Sequence, residues 1–389
     1  MIRPMTDVST PYELLIQGGS LLDAASGYNH ARKDIGIRDG RIIAIRDEIF
    51  EEEAETVLDT TDVIVCPGLI DLHVHVWDGV AHLGIPTDPN CVGKGVTTAF
   101  DAGSAGADIY PGFQKYVIDV SATRIKAFLH ISSQGQLAQN IGELTDLRYA
   151  DIDKALQACE QFKDSIVGVK IRMSEGNVGE NGEEGLKRAL DVCEATGLPL
   201  MIHPNASPLS FARMMNELRR GDIVTHCYHQ SETGILDGTG ELRPEAKQAR
   251  ERGILFDVGH GAGSFSFEVA EAALKQGFEP GTISSDLHKY NVDGPVYSLL
   301  ETVSKFIHLG LSLEDALQKV TTDPAQAMGL HGELGALRED SEADLTLIRI
   351  EEGQVDFTDA LGISRQGDLR LQHVSTIRAG RVYAPGVIT

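Results

Sequence analysis

The chain has 389 residues, 42% of them hydrophobic and 24% charged, a globular composition long enough for a large core and more than one domain. Its formal net charge of −24 opposes nucleic acid or an anionic membrane as partner, and means that a small anionic substrate would need a local cationic group. No apolar run approaches bilayer-crossing length and the start, Met1-Ile2-Arg3-Pro4-Met5-Thr6-Asp7, lacks the apolar core of a signal peptide, so a cytoplasmic protein is expected.

From about residue 10 to 66 the pattern is of short strands broken by turns, with Asp39-Gly40 between two β-rich runs as a hairpin signal. From about 67 to 330, buried-looking strands alternate with helical stretches. Strands are predicted at Leu69 to Val76, Val96 to Ala102, Ile125 to Ser132, Ile166 to Arg172, Pro199 to His203, Asp222 to His226, Ile254 to Val258 and Thr282 to Asp286. Eight such units predict an α/β fold with parallel sheet, either a closed (β/α)8 TIM-like barrel or an open doubly wound sheet. The last segment returns to β character, as in Ala343 to Ile350 and His373 to Tyr383. Residues 1–66 with 331–389 are therefore expected to form a small β-sandwich built from both termini, around a barrel of residues 67–330. The five scattered cysteines include no CxxC pair, which opposes a disulfide framework or a zinc ribbon.

Chemistry gathers at the ends of the middle strands. In His73-Val74-His75 the two imidazoles are two residues apart, so a strand there projects both to one side. Later strands end in or carry Lys170, His203, His226 and Asp286. In a closed barrel these ends ring one mouth, which favours closure over the open sheet. Four imidazoles and a carboxylate suit zinc or a similar divalent ion, and exceed what one tetrahedral catalytic site needs. Two ions are expected. Lys170 is either a structural ion pair or a buried amine of depressed pKa, able to take up carbon dioxide as a bridging carbamate.

These residues, with Pro67-Gly68-Leu69-Ile70-Asp71-Leu72 before them and the tail motifs Val320 to Leu330 and Ala343-Asp344-Leu345, resemble the amidohydrolase superfamily of metal-dependent hydrolases, in its dihydroorotase, hydantoinase and deacetylase branch. The resemblance spans nearly the whole chain. It implies His73, His75, Lys170 and Asp286 as ligands of the more buried ion, with His203, His226 and the Lys170 carbamate on the second. Gly168-Val169-Lys170-Ile171-Arg172 and the stretch Asp257 to Phe267 look more closely like deacetylases of N-acyl-amino acids and O-acyl-hydroxy acids. Relatives often associate through barrel helices, so a homo-oligomer is an option.

The expected reaction is hydrolysis of an acyl amide or ester of a small carboxylated molecule by a hydroxide generated between two ions, with Asp286 moving the proton. Arg172, on the strand face of Lys170, either grips a substrate carboxylate or neutralises an acidic rim. His260 in Gly259-His260-Gly261 either touches substrate or packs the loop. Trp77, His229, His288 and Tyr290 are candidate pocket walls. A cyclic amidohydrolase is the second enzymatic reading. A non-catalytic interaction protein is the alternative of another class, opposed by the filled ligand positions.

Overall fold

The structure is a computed structural model that describes residues 10–385. The leading segment read for a signal peptide, residues 1–9, lies outside the described residues, as do 386–389 of the terminal β unit. Among the described residues, no helix is long and apolar enough to cross a membrane.

Seven parallel strands follow one another around one sheet: Leu69–Val74, Val96–Asp101, Arg124–His130, Ile166–Arg172, Leu200–His203, Ile223–Val224 and Leu255–Phe256. Residues 282–287 close the ring. Thr282 bridges Asp257 on one side and Leu287 bridges Val74 on the other, both in parallel sense. Backbone bonds from His260 N to Ser284 O (3.2 Å) and from Asp286 N to His73 O (2.7 Å) complete the closure. The fold is a (β/α)8 barrel, and the open-sheet alternative falls.

The last three barrel strands are shorter than the sequence predicts. Their ends leave regular β geometry: His226 and Asp286 have φ of +61° and +47°, left-handed values that side-chain-bearing residues adopt only when their surroundings impose them. Strand one carries a second irregularity, a bulge between Asp71 and Val74. Below it, Ile70 and Leu72 join Phe100, Phe128, Met201 and Ile223 in the apolar interior. The extra residue re-aims the strand, and His73 and His75 above it face the mouth.

The terminal segments form one hydrogen-bonded sheet in the order Arg381–Tyr383, Ser364–Arg378, Leu345–Thr358, Ile64–Pro67, Tyr12–Asp23, Tyr28–Arg38 and Arg41–Arg46, with Ala54–Asp59 also pairing Tyr12–Asp23. It is a branched sheet around a shared core in which Ile16, Ile35 and Val65 meet Leu345, Leu347 and Ile377 from the other terminus. The hairpin turn falls at Asp39-Gly40, both with positive φ. Asp344 of the tail motif accepts from Arg124 at 2.7 Å, tying this sheet to the third barrel strand.

Candidate metal centre

Six side chains from five barrel strands line one cavity of about 130 Å³: His73, His75, Lys170, His203, His226 and Asp286. The Nε2 atoms of His73 and His75 each lie 3.3 Å from Asp286 Oδ1. These three residues offer ligand atoms within 4.8 Å of one another, the arrangement that could hold one cation. The His226 ring is 4.9 Å from that of His73 and 4.5 Å from that of His203, centroid to centroid.

Each imidazole is turned by a specific partner. Thr225 Oγ1 donates its proton to Asp257 Oδ2 (2.9 Å), so it can only accept from His73 Nδ1 at 2.8 Å. The His73 proton therefore sits on Nδ1 and the Nε2 lone pair faces Asp286. His226 Nδ1 donates to the carbonyl of Gly259 at 2.6 Å, with the same result. His75 Nδ1 meets Ser104 Oγ at 3.0 Å. His203 is reversed. Ser174 Oγ spends its proton on Asn205 O (2.7 Å) and accepts from His203 Nε2 (3.2 Å), leaving Nδ1 with the lone pair. Such outer partners are what fix a ligating imidazole.

Burial pulls all four histidines well below their ordinary pKa, so they are neutral and able to donate lone pairs. Burial, aided by the Arg172 charge, lowers Lys170 to about 7 against the opposing pull of Asp286. Burial likewise raises Asp286 to about 6, against the pull of His288, Lys170 and Arg172. Lys170 Nζ and Asp286 Oδ1 are both buried and find no hydrogen-bond partner among the described residues. Two unsatisfied ionisable groups facing a ring of neutral imidazoles fit divalent cations, and oppose Lys170 as a settled ion pair. The backbone makes room for this. Gly261, at φ +60°, passes so close to Asp286 that a Cβ there would collide with its carboxylate.

Two candidate substrate contacts, Arg172 and His260, are engaged by other residues of the protein. Arg172 lines the cavity, but its guanidinium is engaged by buried Glu143, with Nε 2.8 Å from Oε1 and Nη2 closer still. It neutralises one buried carboxylate rather than an acidic rim. Glu143 Oε2 lies 2.9 Å from His130 Nε2. Burial would raise the Glu143 carboxyl, but Arg172 and His130 outweigh it and hold it well below the usual range. His260 does not face the cavity. Its Nδ1 meets Gly261 O at 2.9 Å, its Nε2 meets Lys305 Nζ at 2.9 Å, and its ring stacks on Phe265.

Among the other candidates, His288 lines the cavity and exposed Tyr290 stands beside it, ring centroids 5.8 Å apart. Trp77 packs on Phe113 in the core. His229 lines a separate cavity of about 650 Å³. Glu143 and the orienting Ser104, Ser174 and Thr225 carry no sequence pattern that marks them. Asp257, which gathers the hydroxyls of Thr225, Thr282 and Ser284, lay in a noted motif without a role.

The profile described as Amidohydrolase family matches residues 64–366. A deacetylase of Agrobacterium fabrum is 34% identical over 325 residues, 83% of this chain and 80% of that protein. A deacetylase of Enterococcus faecalis is 33% identical over 375 residues, 96% of this chain and 99% of that protein. Among solved structures, an adenine deaminase aligns with a TM-score of 0.89 and 32% identity, over 96% of this chain and 100% of that one. A dihydroorotase aligns at 0.88 and 31%, over 95% and 99%.

Proposed function

Because the chain belongs to the amidohydrolase family, we propose that this hydrolase is a deacetylase that uses two divalent cations, zinc by its donor set, to cleave the acyl amide or ester bond of N-acetyl-amino acids or O-acetyl-α-hydroxy acids. One observation carries the reading: neutral imidazoles, an unpartnered amine and an unpartnered carboxylate converge on one buried cavity. When bound, such cations lower the pKa of a shared water and polarise a carbonyl.

His73, His75 and Asp286 would hold one cation, and His203 Nδ1 and His226 Nε2 the second. Lys170, with its amine near neutrality, would attack carbon dioxide through Nζ, lose a proton, and span both as a carbamate. Asp286 would accept a proton from the attacking water through its carboxylate, then deliver it to the leaving nitrogen or oxygen. The small cavity supports a short acyl group. Arg172, fixed by Glu143, would present its remaining N–H groups to the substrate carboxylate. The catalytic unit would span residues 67–330, with 1–66 and 331–389 as the supporting β unit, in a cytoplasmic protein.

The names of the Agrobacterium and Enterococcus relatives support deacetylation, and the likeness to a dihydroorotase supports cyclic-amide hydrolysis as the second reading. A single panel separates them: N-acetyl-amino acids of both hands, O-acetyl-α-hydroxy acids, dihydroorotate, hydantoin and adenine. Turnover confined to the acetylated acids upholds the deacetylase reading. Turnover confined to a ring substrate overturns it.

A further inference from the structure

We propose that Lys305 is a positioning residue for the cation held by His203 and His226, acting through His260 on the loop 259–261; the proposal rests on the two-cation reading above.

Lys305 lies on the helix Leu299–His308, which is buried on almost every side. Its Nζ is fully enclosed and uses three donors on three fixed acceptors: His260 Nε2 (2.9 Å), Pro295 O (2.8 Å) and Thr358 O (2.7 Å). An ammonium only donates, so His260 Nε2 must accept, and the ring proton sits on Nδ1. That proton reaches Gly261 O at 2.9 Å. The ring cannot turn over without leaving one ammonium N–H and the ring's bond to the Gly261 carbonyl unmade in a buried site. Phe265, stacked on it with centroids 4.5 Å apart, holds its plane.

The loop so gripped is also held by its own amides, with Gly259 N on Ser284 Oγ at 3.0 Å. Gly259 and Gly261 both have positive φ, and glycine restrains such a backbone least. Yet this loop aims a ligand, since Gly259 O takes the Nδ1 proton of His226 at 2.6 Å and thereby turns Nε2 into the cavity. His260 N and Gly261 N also bond Ser284 O and Ser285 O, just ahead of Asp286. Thr358 ends the long strand Leu345–Thr358, so the Lys305 ammonium links the terminal sheet to His260. Burial lowers Lys305 only to about 8, which leaves it charged at neutral pH and the grip intact.

The test compares the full-length protein with Lys305→Met, His260→Phe, the double variant and Lys305→Gln, which keeps an N–H donor. Each is loaded with zinc, and cation release to a chelator is followed. Lys305→Met is expected to release one of two cations roughly tenfold faster or more, the scale of an outer-partner loss. The double variant is expected to release it no faster than the worse single variant, because both act through one link. Lys305→Gln is expected to recover part of the retention. Nitrogen chemical shifts of the histidine rings in metal-free protein supply a readout independent of loading. Wild type should show His226 and His260 protonated on Nδ1, and Lys305→Met should lose that fixed tautomer while its unfolding remains cooperative. Wild-type release from Lys305→Met, additive losses in the double variant, or unchanged ring tautomers overturn the proposal. A wild-type protein that binds a single cation defeats the two-cation reading instead, and the tautomer measurement still decides the role of Lys305.

Discussion

His73 Nε2 and Asp286 Oδ1 stand 3.3 Å apart with no proton to share between them. Burial keeps the imidazole neutral, and its proton lies on the far nitrogen against Thr225. The contact is therefore neither an ion pair nor a hydrogen bond. Two atoms bound to one cation at about 2.0–2.2 Å, at tetrahedral angles, are separated by about 3.3–3.6 Å. His75 Nε2 repeats the distance to the same oxygen.

Asp286→Asn is expected to keep at least one cation, since an amide oxygen replaces the carboxylate, and to lose about 10²–10⁴-fold in kcat, the scale of a missing general acid-base. Turnover numbers and metal content measured on the same preparation check this. Near-normal kcat with metal retained removes Asp286 from proton transfer.

Lys170→Ala is expected to lose the bridging group and with it one cation. Labelled bicarbonate should give a carbamate carbon resonance in the wild type that is absent from this variant. A wild type without that resonance, fully active, shows that the lysine works unmodified.

Arg172→Met is expected to raise KM selectively for carboxylated substrates, by the roughly 1.5–3 kcal/mol of a charged hydrogen bond, about ten- to a hundredfold. Neutral acetyl esters serve as the comparison. Equal losses on both substrate classes mean that Arg172 is structural and its pairing with Glu143 is its whole role.

The Glu143 carboxyl is held below its ordinary value, so its contribution to stability has a definite sign. That contribution is complete above the unfolded carboxyl pKa of about 4.3 and is lost as pH falls toward the folded value. Chemical denaturation at a series of pH values should show wild-type stability falling below about pH 4, with a flatter dependence for Glu143→Gln. At neutral pH that variant should be less stable by about 1–3 kcal/mol, because the half-buried Arg172 guanidinium loses its charged partner. Identical slopes in this acid range contradict the assignment.

Much of this was legible in the chain. The apolar runs that carry His73, Lys170 and His203 place three strands bearing candidate ligands, because strand periodicity and an abrupt polar change coincide. The strands at His226 and Asp286 were legible as candidate positions but not in length, since their ends trade ladder bonds for left-handed backbone. The bulge at Asp71 to Val74 left no mark, because its effect depends on the register against the neighbouring strand. Glu143 sits in a long irregular loop, and only folding brings it to Arg172 and His130. The choice between the two readings of His260 was not legible, because glycines flank a substrate-contacting residue and a packed one alike, and its partner Lys305 lies 45 residues on.

The most direct test is elemental analysis of protein purified without chelator, alongside His203→Asn and His75→Asn. Wild-type protein should carry two divalent cations per chain and each variant fewer, and hydrolysis should disappear with chelation and return with zinc. Protein that carries no such metal, binds none on resupply and remains inert contradicts the two-cation reading.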